Sequence, residues 1–332
     1  MEKEEIKRQR TNAFFATVGI DSDDRIVEML SRRDGMYVIS LNRIIRINLP
    51  DDADPQLQYA DAPTTQTGIL NKGSRNPLVA RTILQANDFS KWISDKEKQQ
   101  SVQDIAWEVM FALLAFDRSL NWLKASIDKQ QNEIAENIEK YVTGPSPHAL
   151  PIVEDLETEF RSAIFIAKHA LNSISELFPA FFDIDVGRGR YDRILLWAEE
   201  KFGKNEPLCL MLRSDQNWIY LWTEVRNAFE HPRPDYYVRI NNFLLLPNRQ
   251  PQLPTWQLKH SKLDNFRPQN MVTALEFYRD NILTFFENLI LELTDKAFKL
   301  PMPVGVIDKD ESGRDPDCPK RYELTLLPST PE

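Results

Sequence analysis

The chain is short of the residues that most motif chemistry needs: its 332 residues include 2 cysteines, 4 histidines and 10 glycines. Cys209 lies in the apolar run from Leu208 to Leu212, and Cys318 stands between Asp317 and Pro319. Two cysteines so placed make neither a disulfide framework nor a zinc site. So few glycines leave little room for phosphate-cradling loops, and the chain has no Walker-type loop, dinucleotide fingerprint or H-E-x-x-H pair. Gly187-Arg188-Gly189-Arg190 reads as a flexible turn. Long apolar runs are missing too: stretches such as Met110 to Phe116 fall well short of the roughly 18 residues a membrane helix needs. The segment from Met1 to Arg10 is charged, with no signal-type apolar segment behind it. A soluble, cytoplasmic protein with no membrane partner is expected. Positive charge is in deficit, with a formal net charge of −9 and a pI near 5.2. That argues against a protein that coats nucleic acid non-specifically, although an acidic nuclease with a locally basic cleft is compatible with it.

What is present suits a folded globular chain: 42% hydrophobic and 27% charged residues. Residues 1–100 read as a mixed α/β region. A short helix is expected over Asp24 to Arg32, then strands over Tyr37 to Leu41 and Arg43 to Leu49, where β-branched residues concentrate. Residues 51–77 read as a long surface loop, and a helix follows from Pro77. From Ser101 the apolar residues Ile105, Val109, Ala112, Leu113, Phe116, Leu120 and Leu123 recur at helical spacing. Ser101 and Asp104 suggest a capped start, and Gly144-Pro145-Ser146-Pro147 reads as a linker.

Residues 145–300 read as a helical domain. Helices are expected over Pro151 to Phe178, ended by Pro179, and then over Tyr191 to Phe202 and Pro207 to Glu230. His231-Pro232-Arg233-Pro234 must break the last of these, because proline disfavours helical geometry in the residue before it. A β-hairpin insertion is expected at 235–260, with Tyr236 to Leu246 alternating like a strand and Trp256 to Lys259 as its partner. A long final helix covers Gln269 to Lys299, and residues 301–332 form an acidic, proline-rich tail with a strand-like run from Arg321 to Leu326. The fold class is mainly α.

Each histidine has a plain reading. His148 belongs to the linker, His169 lies mid-helix off the apolar stripe, and His260 ends a strand with no evident partner. His231 differs, because Arg226 stands five positions before it at a helix terminus. Five residues apart on a continuing helix would be about 140° apart around the axis. If the helix ends at Glu230, the His231 imidazole is released to swing back beside the guanidinium. On the plainest reading the two residues simply cap a helix end, whose carbonyls favour cations.

With Asn227 directly after the arginine, Arg226-Asn227-x-x-x-His231 resembles the R-x4-6-H signature of the HEPN superfamily (higher eukaryotes and prokaryotes nucleotide-binding domain). The setting is similar as well: a helical stretch over about residues 150–300, with the motif ending one long helix and another to come. The resemblance covers under half the chain, and the β insertion at 235–260 departs from the minimal bundle. It implies a HEPN-like helical bundle and a metal-independent endoribonuclease, in a toxin–antitoxin or phage-defence setting. It also implies a homodimer with a composite site, RNA (tRNA among the candidates) as substrate, no cofactor and no metal. A regulatory partner protein belongs to the same expectation. Arg226 and His231 would be catalytic, and Asn227 would orient the site. Arg233, Tyr236, Tyr237 and Arg239 interleave basic and aromatic groups as a single-stranded RNA site would; strand packing is the plainer account of the tyrosines. The rival expectation is a catalytically inactive HEPN-like binding or scaffold module. A third is an unrelated helical regulator.

Overall fold

The structure, a computed structural model, describes residues 3–12, 23–142, 148–261, 267–297 and 304–326. The expected linker at 144–147 lies outside them. The protein is mainly α with several small sheets. Two compact units emerge: residues 1–107 with 294–332, and residues 108–293. Composition divides the chain at its proline-rich stretches, whereas contacts divide it inside its two longest helices, Lys96–Glu136 and Met271–Ala297.

In the first unit, strands Ile26–Arg32, Gly35–Ser40, Ile44–Asn48 and Thr65–Leu70 form an antiparallel sheet in chain order. The expected helix over Asp24 to Arg32 is therefore a strand. Its pairing with Gly35–Ser40 across the Arg33-Asp34 turn outweighs a weak helical pattern, as tertiary context does with marginal propensities. The expected loop over 51–77 also contributes structure, a short helix Pro50–Ala53 and the edge strand Thr65–Leu70. The helix expected from Pro77 starts there and passes through a π-helical turn, Ala80–Leu84, before ending at Ser90. The strand-like run expected in the tail is a strand, Tyr322–Leu326, and pairs antiparallel with Val304–Asp308, while Gln85 exchanges two hydrogen bonds with the Tyr322 backbone.

The Lys96–Glu136 helix begins earlier than its sequence start signal. Asp95, not Ser101, caps it by accepting from the backbone N–H groups of Glu97 and Lys98.

The second unit holds the helices Leu156–Ser175, Leu177–Phe182, Tyr191–Phe202, Pro207–Glu230 and most of Met271–Ala297. Pro179 does not end a helix. It sits in the first turn of Leu177–Phe182, where its missing N–H costs nothing, and Asp183 in the left-handed region closes that helix. The Gly-Arg-Gly-Arg segment is the turn its composition suggests, with φ of +80° at Gly187 and +71° at Gly189. A side chain at Gly189 would also meet Asn172 Oδ1 at 2.3 Å.

Pro207–Glu230 forms because Pro207 opens it and Leu208, Leu212, Ile219, Trp222, Val225 and Phe229 recur on one buried face. That face is dominated by rings. Trp222 stacks on Tyr278 with centroids 4.2 Å apart and planes 5° from parallel, and on Trp256 at 5.0 Å. The β insertion follows as Tyr237–Asn241 paired antiparallel with Thr255–Lys259. Among the described residues, no helix is long and apolar enough to cross a membrane.

Candidate functional site

The end of the Pro207–Glu230 helix is held from several sides. His231 leaves helical geometry at φ −130° and ψ 58°, ahead of Pro232, while its N–H still donates to the Asn227 carbonyl at 2.8 Å. Arg161 reaches across from the Leu156–Ser175 helix and donates to the Phe229 carbonyl at 3.1 Å, satisfying one of the orphan acceptors of the last turn. A reciprocal backbone pair between Arg233 and Tyr236, at 2.8 and 3.0 Å, then closes a tight turn. The register that pairs Tyr237 with Lys259 puts Tyr236 opposite His260, and their rings meet edge-on at 5.2 Å.

These constraints surround a cavity of about 440 Å³ lined by Asn227, His231, Arg233, Tyr236, His260 and Glu224, among others. His231 is open to it, its side chain 72% exposed, while His260 is 9% exposed. Glu224, one turn before Asn227, is the hub. Its Oε2 lies 3.1 Å from His260 Nε2 and accepts from the Tyr236 hydroxyl at 3.1 Å. Its Oε1 accepts from Asn227 Nδ2 at 3.4 Å, and its backbone carbonyl accepts from Tyr236 at 2.9 Å. Asn227 Oδ1 in turn accepts from Arg226 Nη1 at 3.2 Å. Arg226 forms an i,i+4 ion pair with Glu230, whose Oε2 lies 3.8 Å from His231 Nε2. A polar chain therefore runs from His260 through Glu224 and Asn227 to Arg226 and Glu230, and His231 Nε2 stands 3.8 Å beyond it.

Not every expected residue reaches the cavity. Asn227, His231, Arg233 and Tyr236 line it. Arg226 stands beside it, half-buried, paired with Glu230 and placed over the Phe165 ring at 5.5 Å. Tyr237 and Arg239 lie on the strand and are not among its lining. His260 and Glu224 are what the sequence under-read. In the sequence Glu224 and Glu230 are both groups able to position Arg226 or His231, with a solvated helix charge as the plainer reading, and His260 looks partnerless there because strand register is not written in either strand alone.

Electrostatics sharpen the site. Burial, with the Glu224 carboxylate beside it, raises the Tyr236 hydroxyl well above its usual range, so it stays a neutral donor. Nearby, Lys168 donates to Thr223 Oγ1 at 3.2 Å. Burial, and then the Arg226 charge, push its ammonium down to about 8. Among the described residues no group of three or more histidine, cysteine, aspartate or glutamate side chains is arranged to hold a metal ion.

No family model, curated protein or solved structure matches the chain. The chemistry of the cavity therefore rests on its own geometry. That geometry offers two imidazoles, a guanidinium, two phenols, two carboxylates, an amide and a serine hydroxyl around a space of small-ligand size.

Proposed function

We propose that the 108–293 unit carries a metal-independent endoribonuclease site of HEPN type, with His231 and Arg226 as its catalytic pair. The observation that carries this reading is the placement of His231: exposed, lining the cavity, and with Nε2 3.8 Å from the Glu230 carboxylate that pairs with the arginine five residues before it. RNA brings its own nucleophile. The 2′-hydroxyl loses its proton to a base, its oxygen attacks the adjacent phosphorus, and the 5′-oxygen leaves with a proton. The protein must then move protons and stabilise the charge that builds on the phosphoryl oxygens. Imidazole suits the first task, because it gains and loses a proton near neutral pH. Guanidinium suits the second, because it stays charged and presents paired donors to phosphate.

In the free protein Glu230 occupies the Arg226 donors, and an incoming phosphate competes for them. Asn227 accepts from the Arg226 guanidinium through Oδ1 and donates to Glu224 through Nδ2, contacts that suit an orienting role. Arg233 and Tyr236 stand where a strand of RNA would pass. Tyr237 and Arg239 lie on the strand that follows, outside the cavity lining, and in this reading they contact RNA beyond the cavity. An RNA substrate such as tRNA, a second copy of the chain completing the site, and a regulatory partner in a defence or toxin setting belong to the same reading.

The Arg226–Glu230 pair favours a second reading, a catalytically inactive binding module in which the motif closes a helix. The two separate cleanly in a cleavage assay on mixed tRNA and mRNA in EDTA. The nuclease reading expects cutting by the native protein and its loss in both His231→Ala and Arg226→Ala, with folding intact. Equal cutting by all three proteins would remove the motif from the mechanism. Inertness of all three would favour the binding module.

A further inference from the structure

A second cavity, of about 500 Å³, adjoins the one around His231. Its lining comes from the turn over residues 187–192 and from the Pro207–Glu230 helix, and Tyr220 and Glu224 line both cavities. Gln216, Tyr220, Glu224 and Asn227 recur at helical spacing on one face. The two cavities therefore follow one another along the helix, with Tyr220 about 10 Å along its axis from Asn227. The charged groups of this second lining are already engaged. Arg190 holds Asp192 through two hydrogen bonds, at 3.0 and 2.8 Å, and Glu224 accepts from Asn227 and Tyr236. The Thr223 hydroxyl donates to the Ile219 carbonyl and accepts from Lys168. What remains is neutral. Among the described residues the Gln216 and Asn217 side chains make no hydrogen bond, and Tyr220 is 48% exposed. Two carboxylates against one guanidinium make the lining net negative, which disfavours a phosphate there. A flat, uncharged ring with donors and acceptors on its edge meets no such penalty.

We infer that this second cavity seats one base of an RNA strand whose backbone enters the His231 cavity, stacked on Tyr220 and read along its edge by Gln216 and Asn217. This rests on the ribonuclease reading and deepens it, by giving the site a sequence preference. Single-stranded RNA is recognised by splaying out a base, stacking it on an aromatic ring and hydrogen-bonding its edge. Tyr220 is placed for the first task, because it belongs to both cavities and so stands where the strand passes from one to the other. Carboxamides suit the second. Each offers an N–H donor beside a carbonyl acceptor, the pattern that pairs two-point with adenine, whose amino group donates while a ring nitrogen accepts. Guanine is matched best by an arginine fork, and Arg190 has spent its fork on Asp192. Adenine is therefore the base favoured in the seat. The phosphates stay outside the negative lining, on the side of Arg226 and Arg233.

The test joins cleavage mapping to binding that needs no cleavage. The native protein, Tyr220→Ala, Tyr220→Phe and the double variant Gln216→Leu with Asn217→Leu are each checked for an intact thermal transition. Cut positions in a mixed RNA pool are then mapped by sequencing the product ends. The expected result is adenine enriched about 10-fold or more at one fixed position beside the cut bonds, and flattened in the double variant. Tyr220→Ala should raise KM at such sites about 10-fold, more than it lowers kcat, and Tyr220→Phe should keep most of the native value. In parallel, calorimetry measures binding of uncleavable 2′-O-methyl oligoadenylate and oligouridylate, and of adenosine 5′-monophosphate. Oligoadenylate should bind the native protein about 10-fold more tightly than oligouridylate, and the double variant should lose the difference. Native cleavage without a base preference, or with one unchanged in the double variant, would overturn the inference and leave the ribonuclease reading standing. Adenine-selective binding without cleavage would support the base seat and overturn the ribonuclease reading. Neither cleavage nor selective binding would overturn both. Adenosine 5′-monophosphate binding as tightly as the oligonucleotide would overturn the RNA strand as occupant in favour of a free nucleotide.

Discussion

The two sides of the Pro207–Glu230 helix are built on opposite principles. On one side Trp222, Val225 and Phe229 are buried, and Trp222 lies between the Tyr278 and Trp256 rings. On the other, Tyr220, Glu224 and Asn227 line a cavity, where Glu224 accepts from the Tyr236 hydroxyl at 3.1 Å and from Asn227 at 3.4 Å. Apolar burial fixes where the helix sits and tolerates small shifts in atomic position, because it is non-directional. The polar side depends on individual donors and acceptors meeting, and a small displacement there breaks a bond rather than loosening a contact. The apolar face should therefore answer to stability measurements, and the polar face to activity and pH.

Substitutions can break that division. The largest effect is expected on the buried side: Trp222→Ala should cost about 3–5 kcal/mol in urea denaturation, by removing a large ring from a close-packed stack. A loss under about 1 kcal/mol would mean the stack does not hold the helix. Next comes His231→Ala, which should slow RNA cleavage about 100- to 10,000-fold while shifting stability by less than about 0.5 kcal/mol, as an exposed side chain should. A matching fall in stability would show that the residue is structural.

Glu224→Ala is intermediate, since it strips His260 and Tyr236 of a shared acceptor. A cost of about 1–3 kcal/mol is expected from leaving buried donors short of a partner, and Tyr236→Phe should cost less because only one hydroxyl is lost. If the two variants are equally stable, the hub role of Glu224 is wrong.

The smallest effect, and the most diagnostic in sign, concerns Lys168. Its ammonium titrates at about 8 in the folded chain against an ordinary 10.5. Between those values the unfolded chain binds more protons, so stability attributable to Lys168 rises with pH from about 8 to 10.5. Below that window the full penalty of a buried cation applies. Lys168→Met should accordingly be more stable than the native protein at pH 7, on the order of 1 kcal/mol after allowing for solvent relaxation. The gain should shrink as pH climbs through the window. A gain that stayed constant from pH 7 to 10.5 would show that burial of the charge is not its source.

The helices of the second unit were legible wherever apolar residues recur at helical spacing between proline or glycine signals, and Tyr191–Phe202 and Pro207–Glu230 run between the expected residues. The first unit was harder, because Ile26–Arg32 and Thr65–Leu70 are strands by virtue of their neighbours in the sheet, and neither carries a strong pattern of its own. Pro179 misled because proline ends helices from the interior but is tolerated in a first turn. At the site, the sequence places Arg226, Asn227 and His231 together simply by adjacency. It could not place His260, because that position depends on the register of Tyr237–Asn241 against Thr255–Lys259 across an intervening loop. The sequence does offer Glu230 as a group able to position Arg226, with a solvated helix charge as the plainer reading, and in the structure it pairs with the guanidinium. The residue is four positions on, the spacing at which helix neighbours meet, and that is the signal that was there to use.

The central claim is that the cavity directs attack by the RNA's own 2′-hydroxyl. The most direct test is an RNA substrate with a single 2′-deoxy nucleotide placed immediately 5′ to a mapped cleavage position. Loss of cutting at that bond alone, with 2′,3′-cyclic phosphate and 5′-hydroxyl ends at the remaining bonds, is the result this account predicts. Unchanged cutting at the deoxy position would contradict it.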